Sequence, residues 1–461
     1  MSTTPHVINK KTRPPKWVAT RNACKLCTPL GACLALRGIE GALPFLHGSQ
    51  GCATYMRRYI ISHFKEPMDI AASGFSEAST IFGGEQNLHR GLQNVTSQYH
   101  PSLIGIATIC LSETIGEDVK QLLHPYEAAL DGADAPVLVP ISTPSYCGTH
   151  IDGFHAAVRA VVEKLATPAE LRGDHINLFP GMVSAADIRY LKEVAADFSL
   201  ESVLLPDYSD TLDGPALDRY HKIPEGGTPI AAIRSSASAS ATVEFGRTIA
   251  GKVMAATFLR ERFAVPSHRL GVPIGVRETD AFFEVLEQLS GRPTPAKHRH
   301  ERGRLIDAYV DGHKYVSGNR AVVYGEEDLV VGLAALLAEI GVVPVLCASG
   351  GESGSLANSI AEFTADVDGP IVAREGTDFM SMADEAKQLS ADFLIGSSKG
   401  YSVARQLGIP LIRAGFPIHD RIGGQRILHL GYRGAQQLFD RIVNALIEFK
   451  QQSSPVGYSY M

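Results

Sequence analysis

The sequence predicts an α/β protein of three Rossmann-like, doubly wound domains with mostly parallel sheets. Three observations carry that expectation. Short, near-continuous apolar runs recur along the whole chain. Segments with helical spacing separate them. The length, 461 residues, is about three times a typical ~150-residue domain. Apolar strands that do not alternate with polar residues are buried on both faces, as in a parallel sheet covered by helices. Right-handed crossovers between such strands then wind each unit.

In chain order, strands are expected at 103–110 (LIGIATIC), 136–142 (PVLVPIS), 176–180 (INLFP), 202–205, 229–233 and 270–274. They continue at 321–324 (AVVY), 342–347 (VVPVLC), 370–373, 393–395 and 410–413 (PLIR). These runs are short, apolar and rich in Val and Ile, which suits a strand better than a helix. Helices are expected at 154–165, 186–198, 329–340 and 436–449, where apolar residues return at helical spacing. Boundaries fall near Gly173, in the polar stretch TPAELRGDH, and near Gly318, after the charged stretch AKHRHERGRLIDAYVDGHKY. This divides the chain into an N-terminal unit (1–173), a second unit (174–317) and a third with a C-terminal helix (318–461). The first ~20 residues and the tail after Gln452 read as extended arms.

Composition narrows the function. Hydrophobic residues make up 45% and charged ones 20%, which excludes a disordered, fibrous or small disulfide-rich protein. The formal charge of -6 gives no reason to expect nucleic acid or an anionic membrane as partner. No apolar run reaches the ~18 residues of a membrane span. The start, MSTTPHVINKKTRPPKW, is polar and basic without an apolar signal core, so a cytoplasmic location is expected. Of seven cysteines, four crowd into positions 24, 27, 33 and 52. In a reducing compartment that points to metal or reactivity before disulfides.

Cys24 and Cys27 have C-x-x-C spacing, but no second pair follows at zinc-site spacing, which disfavours a closed four-cysteine zinc site. No βαβ pattern surrounds the pair as in a thioredoxin-like protein. Spacing alone leaves a metal role and buried structural thiols both open. HGSQGC (47–52) adds to the first: Gly48 and Gly51 permit a tight turn that approaches a bulky group closely, and Cys52 ends it. The bland alternative is an ordinary loop with a half-buried Cys. Cys110 ends an expected strand, at the carboxyl edge where open α/β sheets bind ligands. A core thiol at a strand end explains it equally. TPSYCGTH (143–150) follows the next strand end, so Ser145 and Cys147 face the same crevice. Three thiolates cannot fill the four cysteine positions of a standard cubane. An iron–sulfur cluster on Cys27, Cys52 and Cys110 therefore takes its remaining ligands from another chain. Cys33 and Cys347 read as packed thiols, His298 and His300 as a solvated face, and GGESGS (350–355) as a turn. Neither a P-loop nor a well-placed G-x-G-x-x-G occurs.

At these residues the sequence resembles the nitrogenase component-1 family, most closely its β-type chains, over about 24–449. The supporting stretches are C-x-PLGA (27–32), HGSQGC-x-x-Y (47–55), HF-x-EP (63–67), FGG-x-x-N (82–87), C-x-x-E-x-IG-x-D (110–118) and TPS-x-x-G-x-H (143–150). Further along come SG-x-P-x-P (290–295), ERGRL-x-D (301–307), PLIR-x-GFPI-x-DR (410–421) and GY-x-G (431–434). The resemblance implies an α2β2 heterotetramer with a homologous α-type chain and a separate ATP-dependent iron protein as electron donor. It implies that Cys27, Cys52 and Cys110 ligate a P-cluster-like [8Fe-7S] centre shared with the α-type chain. Ser145 then matches the serine that can bind an iron of the oxidised cluster. The catalytic cofactor would lie in the α-type chain, so no catalytic residue is expected here.

Two jobs within the family compete. One is the β-type subunit of a nitrogenase-like reductase, with methylthio-alkane C–S bond reduction as a candidate reaction. The other is a NifN-like scaffold subunit for iron–molybdenum cofactor assembly. The family's scaffold chain keeps only the HGSQGC cysteine, whereas all three cysteines and the serine are present here, which favours the reductase. LPDYSDTLDGP (205–215), RAGFPIHDRIGGQR (413–426) and the expected lack of the long N-terminal arm of the molybdenum nitrogenase β chain look more scaffold-like. A reductase acting outside N2 fixation accommodates both observations. A protein with no redox role, its cysteines merely buried, is the alternative from a different class.

Overall fold

The computed structural model describes residues 7–9, 24–129 and 135–456. Among them are three parallel sheets. The first has the spatial order Ala71–Ala72, Ala42–His47, Leu103–Thr108, Val137–Ile141. The second runs Ser202–Leu204, Ile176–Phe179, Ala241–Phe245, Ser267–Leu270. The third, six-stranded, runs Val7–Asn9, Ile371–Arg374, Val343–Ser349, Arg320–Gly325, Phe393–Gly396, Leu411–Arg413. In each sheet the strand order reverses direction, as in doubly wound folds. The parallel α/β class is therefore as expected.

Several elements differ from the sequence reading, each for a physical reason. The 229–233 segment is the helix Ile230–Arg234, which starts after Pro229 (φ -59°). Proline suits a helix start because it donates no hydrogen bond there. The strand in that region is Ala241–Phe245 instead. Glu244 disguises it: this fully buried carboxylate accepts from the amides of Ala255 (3.3 Å) and Ala256 (2.7 Å). It thereby caps the next helix, Ala255–Phe263. The expected strand at 270–274 is shifted to Ser267–Leu270, a polar edge strand. The strand at 103–110 ends at Thr108, and Cys110 opens the short helix Cys110–Thr114. Ala42–His47 is a fully buried strand that Pro44 conceals in the sequence. The expected helices are present, two of them longer, as His150–Leu165 and Gly431–Ser453, and two shifted toward the N-terminus by one or two residues, as Ala185–Asp197 and Glu327–Glu339.

His298 is not on a solvated face. It is fully buried on the helix Ala296–Val316, with Nε2 2.9 Å from Asp197 and Nδ1 3.1 Å from Glu301. That helix buries positions 298, 301, 305, 312 and 316. The stripe contains paired polar residues and so escapes a hydrophobicity pattern. His300 is exposed. Of the expected arms, Val7–Asn9 is an edge strand paired with Ile371–Ala373. The rest of the N-terminal arm and residues 457–461 lie outside the described residues. Among the described residues no helix is long and apolar enough to cross a membrane.

One crossing sets the geometry of the first unit. The helix Thr28–Leu36 is buried over its whole length and lies against His150–Leu165. A Cβ on Gly31 would sit 1.6 Å from the His150 carbonyl oxygen, and one on Gly153 would sit 1.9 Å from that of Thr28. The two helices therefore meet backbone to backbone, which only glycine allows.

Candidate functional site

The three cysteines converge on the carboxyl edge of the first sheet. Ala42–His47 and Leu103–Thr108 are neighbours with His47 opposite Thr108, and Leu103–Thr108 also pairs with Val137–Ile141. The chain leaves these three strand ends toward Cys52, Cys110 and Ser145 respectively. Thr28–Leu36 precedes the strand Ala42–His47 and packs on it. Thr28 Oγ1 donates to the carbonyls of Pro144 and Cys147, in the turn that follows Val137–Ile141, which brings Cys27, the N-cap residue of that helix, to the same edge.

Cys52 lies in the first turn of the helix Gln50–Phe64, whose N-cap Ser49 accepts from the Gly51 amide at 3.3 Å. Gly48 has φ +146°, and a Cβ there would lie 2.3 Å from Ile109 Cγ1. Its glycine lets the Cys52 turn close against the residue before Cys110. Gly51 differs: a Cβ there would meet only Ser49 Oγ, at 3.6 Å. Nothing in this chain demands glycine at 51.

Cys27 and Cys52 are half-buried and Cys110 is exposed. Burial pushes the Cys52 thiol up, and the negative charges of Cys27 and Cys110 push it further. The Cys27 and Cys110 sulfurs therefore lie close enough to Cys52 to act on it. The N-terminus of Gln50–Phe64 offsets part of that cost, because helix N-termini favour thiolates. No three His, Cys, Asp or Glu side chains among the described residues are arranged to hold a single metal ion. Cysteine thiolates are the usual holders of iron–sulfur groups, and three of them at one sheet edge would suit such a group.

Ser145 is half-buried in the turn after Val137–Ile141. Thr28 Oγ1 donates to the carbonyls of Pro144 (3.3 Å) and Cys147 (3.2 Å), and the His150 amide donates to Leu26 O (3.1 Å). The segment around Cys27 is thus stitched to the turn that carries Ser145. Cys147 is exposed on that turn.

The C-x-x-C pair is not a unit. Cys24 is buried among Tyr324, Phe379 and other residues of the third sheet's core, and burial pushes its thiol up to about 12. Cys33 and Cys347 are fully buried and raised by burial alone, Cys347 to about 12. Such thiols are inert packing groups. GGESGS forms a turn in which a Cβ on Gly350 would meet the backbone of Cys24 at 2.6 Å.

Sequence reasoning gave no role to His47, Ser73, Ser112 or Glu117. His47 is fully buried, with Nε2 2.7 Å from Glu117 Oε2 and Nδ1 3.2 Å from Ser73 Oγ. His47 begins a quoted motif, whereas Glu117 stands at an unspecified position within another, 70 positions on, and only the fold pairs them. Exposed apolar side chains flank the site: Tyr55, Tyr146, and Ile81 with Phe82, the last 87% exposed. Exposed apolar side chains, where they are contiguous, mark protein-contact surfaces.

The profile of the family described as "Nitrogenase component 1 type Oxidoreductase" matches residues 27–447. The nitrogenase molybdenum-iron protein beta chain of Clostridium pasteurianum is 34% identical over 429 residues, 93% of either chain. The nitrogenase vanadium-iron protein beta chain of Trichormus variabilis is 33% identical over 452 residues, 95% of this chain and 96% of that one. A solved chain described as "Nitrogenase Cp1 at pH 6.5" superposes with a TM-score of 0.93 at 32% identity, covering 98% of this chain and 99% of that one. A chain described as "Nitrogenase Cp1 at pH 5" shares the fold at 14% identity, with a TM-score of 0.72 over 98% of this chain and 93% of that one.

Proposed function

The chain belongs to the nitrogenase component 1 type oxidoreductase family as a β-type chain, and from that premise we propose that it is the β-type subunit of a nitrogenase-like reductase. Cys27, Cys52 and Cys110 hold an iron–sulfur cluster of the P-cluster type, [8Fe-7S], shared with a homologous α-type chain in an α2β2 assembly. The observation that carries this reading is the convergence of three thiols on one sheet edge, registered in the raised Cys52 thiol. When bound, the cluster supplies a one-electron relay between an ATP-dependent iron protein and the cofactor of the α-type chain.

The residues of this chain do the holding. Cys27 is anchored by a buried helix, Cys52 by a capped helix start, and Cys110 by the end of a central strand. Ser145 offers a hydroxyl on the same edge. Cys110 and the neighbouring Tyr146 are bare, so the α-type chain completes the ligand set and excludes water.

For the reaction, C–S bond reduction in methylthio-alkanes is the first candidate, carried out in the α-type chain. The scaffold reading is kept because its two scaffold-like stretches meet in the fold. Asp213 Oδ1 accepts from Gln425 Nε2 and Arg426 Nη1, both at 3.1 Å. Anaerobic co-purification with the α-type chain, followed by iron-protein-dependent turnover on N2, acetylene and methylthio-alkanes, separates the two. The reductase reading expects turnover. A complex that reduces none of these yet donates a cofactor to an empty reductase is a scaffold.

Two further results are expected. Expressed alone, the chain aggregates, because thiols and an apolar face stay bare, while co-expression yields a soluble heterotetramer. Size-exclusion chromatography checks this; a stable iron-free monomer that retains full activity on reconstitution argues against it. Cys24→Ala and Cys33→Ala leave the iron content of the complex nearly unchanged, since both thiols sit in apolar cores. Loss of about half the iron in either variant would show that other thiols are the ligands.

A further inference from the structure

Building on the cluster reading above, we infer that Glu117 is a positioning residue that, through His47 and together with Ser112, holds the segments of Cys52 and Cys110 at a fixed separation before any cluster is present. The two cysteines stand on different arms of the chain, 58 positions apart in sequence, leaving adjacent strand ends. Backbone pairing of those strands stops at His47 and Thr108, so something else must hold the arms beyond it.

Side chains of the 110–118 segment do so. Ser112 Oγ donates to the His47 carbonyl (2.8 Å) and accepts from the Ile109 amide (3.1 Å). One hydroxyl thus ties the residue before Cys110 to the residue that begins HGSQGC. Glu117 grips the same residue from its side chain, with Oε2 2.7 Å from His47 Nε2. Its other oxygen, Oε1, accepts from the Gly84 amide. On the far side of the ring, Ser73 Oγ lies 3.2 Å from His47 Nδ1 and accepts from the Gly48 amide at 2.8 Å. If the Ser73 hydroxyl donates to Nδ1, Nε2 carries the ring proton and donates to Glu117, so each polar atom has a partner. A buried network satisfied in this way is rigid, and losing one member leaves the others exposed to the full cost of an unmet bond.

The loop of Gly84 closes this frame. A Cβ on Gly84 would lie 2.2 Å from Phe75 Cε1 and 3.2 Å from His47 Cε1, so the backbone packs directly on the ring that Glu117 holds. Cys27 belongs to a different frame, built by Thr28 and the 144–147 turn. The positioning therefore acts on the Cys52–Cys110 pair in particular. Hydrogen-bonded groups behind metal ligands commonly change metal affinity 10–100-fold and tune the potential of the centre.

The test uses the anaerobically purified complex with Glu117→Ala, Glu117→Gln, Cys52→Ala and a control, His298→Ala, which breaks a buried His–carboxylate pair elsewhere. Three quantities are read: the rate of iron loss to a ferrous chelator, the midpoint potential of the cluster's EPR signal, and the thermal midpoint. Glu117→Ala should lose iron about tenfold faster and shift the potential. Glu117→Gln should stay close to the parent, because a carboxamide can accept from Gly84 and donate to the other tautomer of His47. His298→Ala should lower the thermal midpoint while leaving iron loss and potential at parental values. If Glu117→Ala moves neither quantity, or moves them no more than His298→Ala does, the positioning role is overturned. Cys52→Ala separates the layers: full iron in that variant sinks the cluster reading itself. Iron loss there, beside a parental Glu117→Ala, sinks only the positioning inference.

Discussion

Replacing Cys52 with alanine empties the shared site: iron content falls to what the α-type chain's own cofactor holds, the cluster EPR signal disappears, and iron-protein-dependent turnover drops to background. Cys27→Ala and Cys110→Ala give the same pattern. The reasoning is that three thiols serve one polynuclear group, so each carries iron that the other two cannot retain. The half-buried Cys52 thiol is pushed up by burial and by the charges of Cys27 and Cys110, and bound iron reverses that disadvantage by neutralising all three. The scaffold reading with a smaller cluster expects a split result, with Cys52 essential and the other two dispensable. The buried-thiol reading expects a packing loss of roughly 1–3 kcal/mol in any of the three and no loss of iron. Iron analysis, EPR and turnover on the co-purified complexes distinguish the three. Wild-type clusters and turnover in Cys27→Ala and Cys110→Ala would end the reductase assignment.

The parallel α/β class was legible because strands such as Leu103–Thr108 and Val343–Ser349 carry long buried apolar runs, 103–107 and 344–348, before their polar ends. Elements were misread where a polar side chain is buried with a partner remote in sequence. Glu244 hides a central strand because it caps a helix start, and His298 looks solvated because Asp197 and Glu301 neutralise its burial. The site shows the same division. Cys52 and Cys110 could be singled out because each follows a Gly-rich turn or an apolar strand, features local in sequence. His47, Ser73 and Glu117 could not be joined, because their contact depends on which strands become neighbours. C-x-x-C was misleading for a related reason. Its three-residue spacing suggests a shared site, whereas the chain passes there from the third sheet's core to the first sheet's edge.

Gly31→Ala and Gly153→Ala are expected to be as damaging to the fold as the cysteine changes are to the cluster. The added Cβ would lie 1.6 Å from the His150 carbonyl oxygen in the first case and 1.9 Å from the Thr28 carbonyl oxygen in the second. Both obstacles are backbone atoms within packed helices, so no side-chain rotation relieves the clash, and the helices must separate. Overpacking in a rigid interior costs roughly 1–3 kcal/mol when side chains can adjust, and backbone contacts at this distance should exceed it, at roughly 4 kcal/mol or more. The displaced helix carries Cys27 at its N-cap, so any soluble Gly31→Ala complex should also hold its cluster loosely. Gly51→Ala is the contrasting case. Its Cβ would meet only Ser49 Oγ at 3.6 Å, and alanine in the first turn of Gln50–Phe64 should leave the thermal midpoint unchanged or slightly raised. If glycine at 51 serves what docks beside Cys52 from outside this chain, Gly51→Ala should nevertheless lower iron content. Thermal midpoints and iron content measured together on the three variants decide the matter. A Gly31→Ala complex as stable as the parent would refute the backbone-contact crossing, and a fully loaded Gly51→Ala complex would remove the outward-facing role of that glycine.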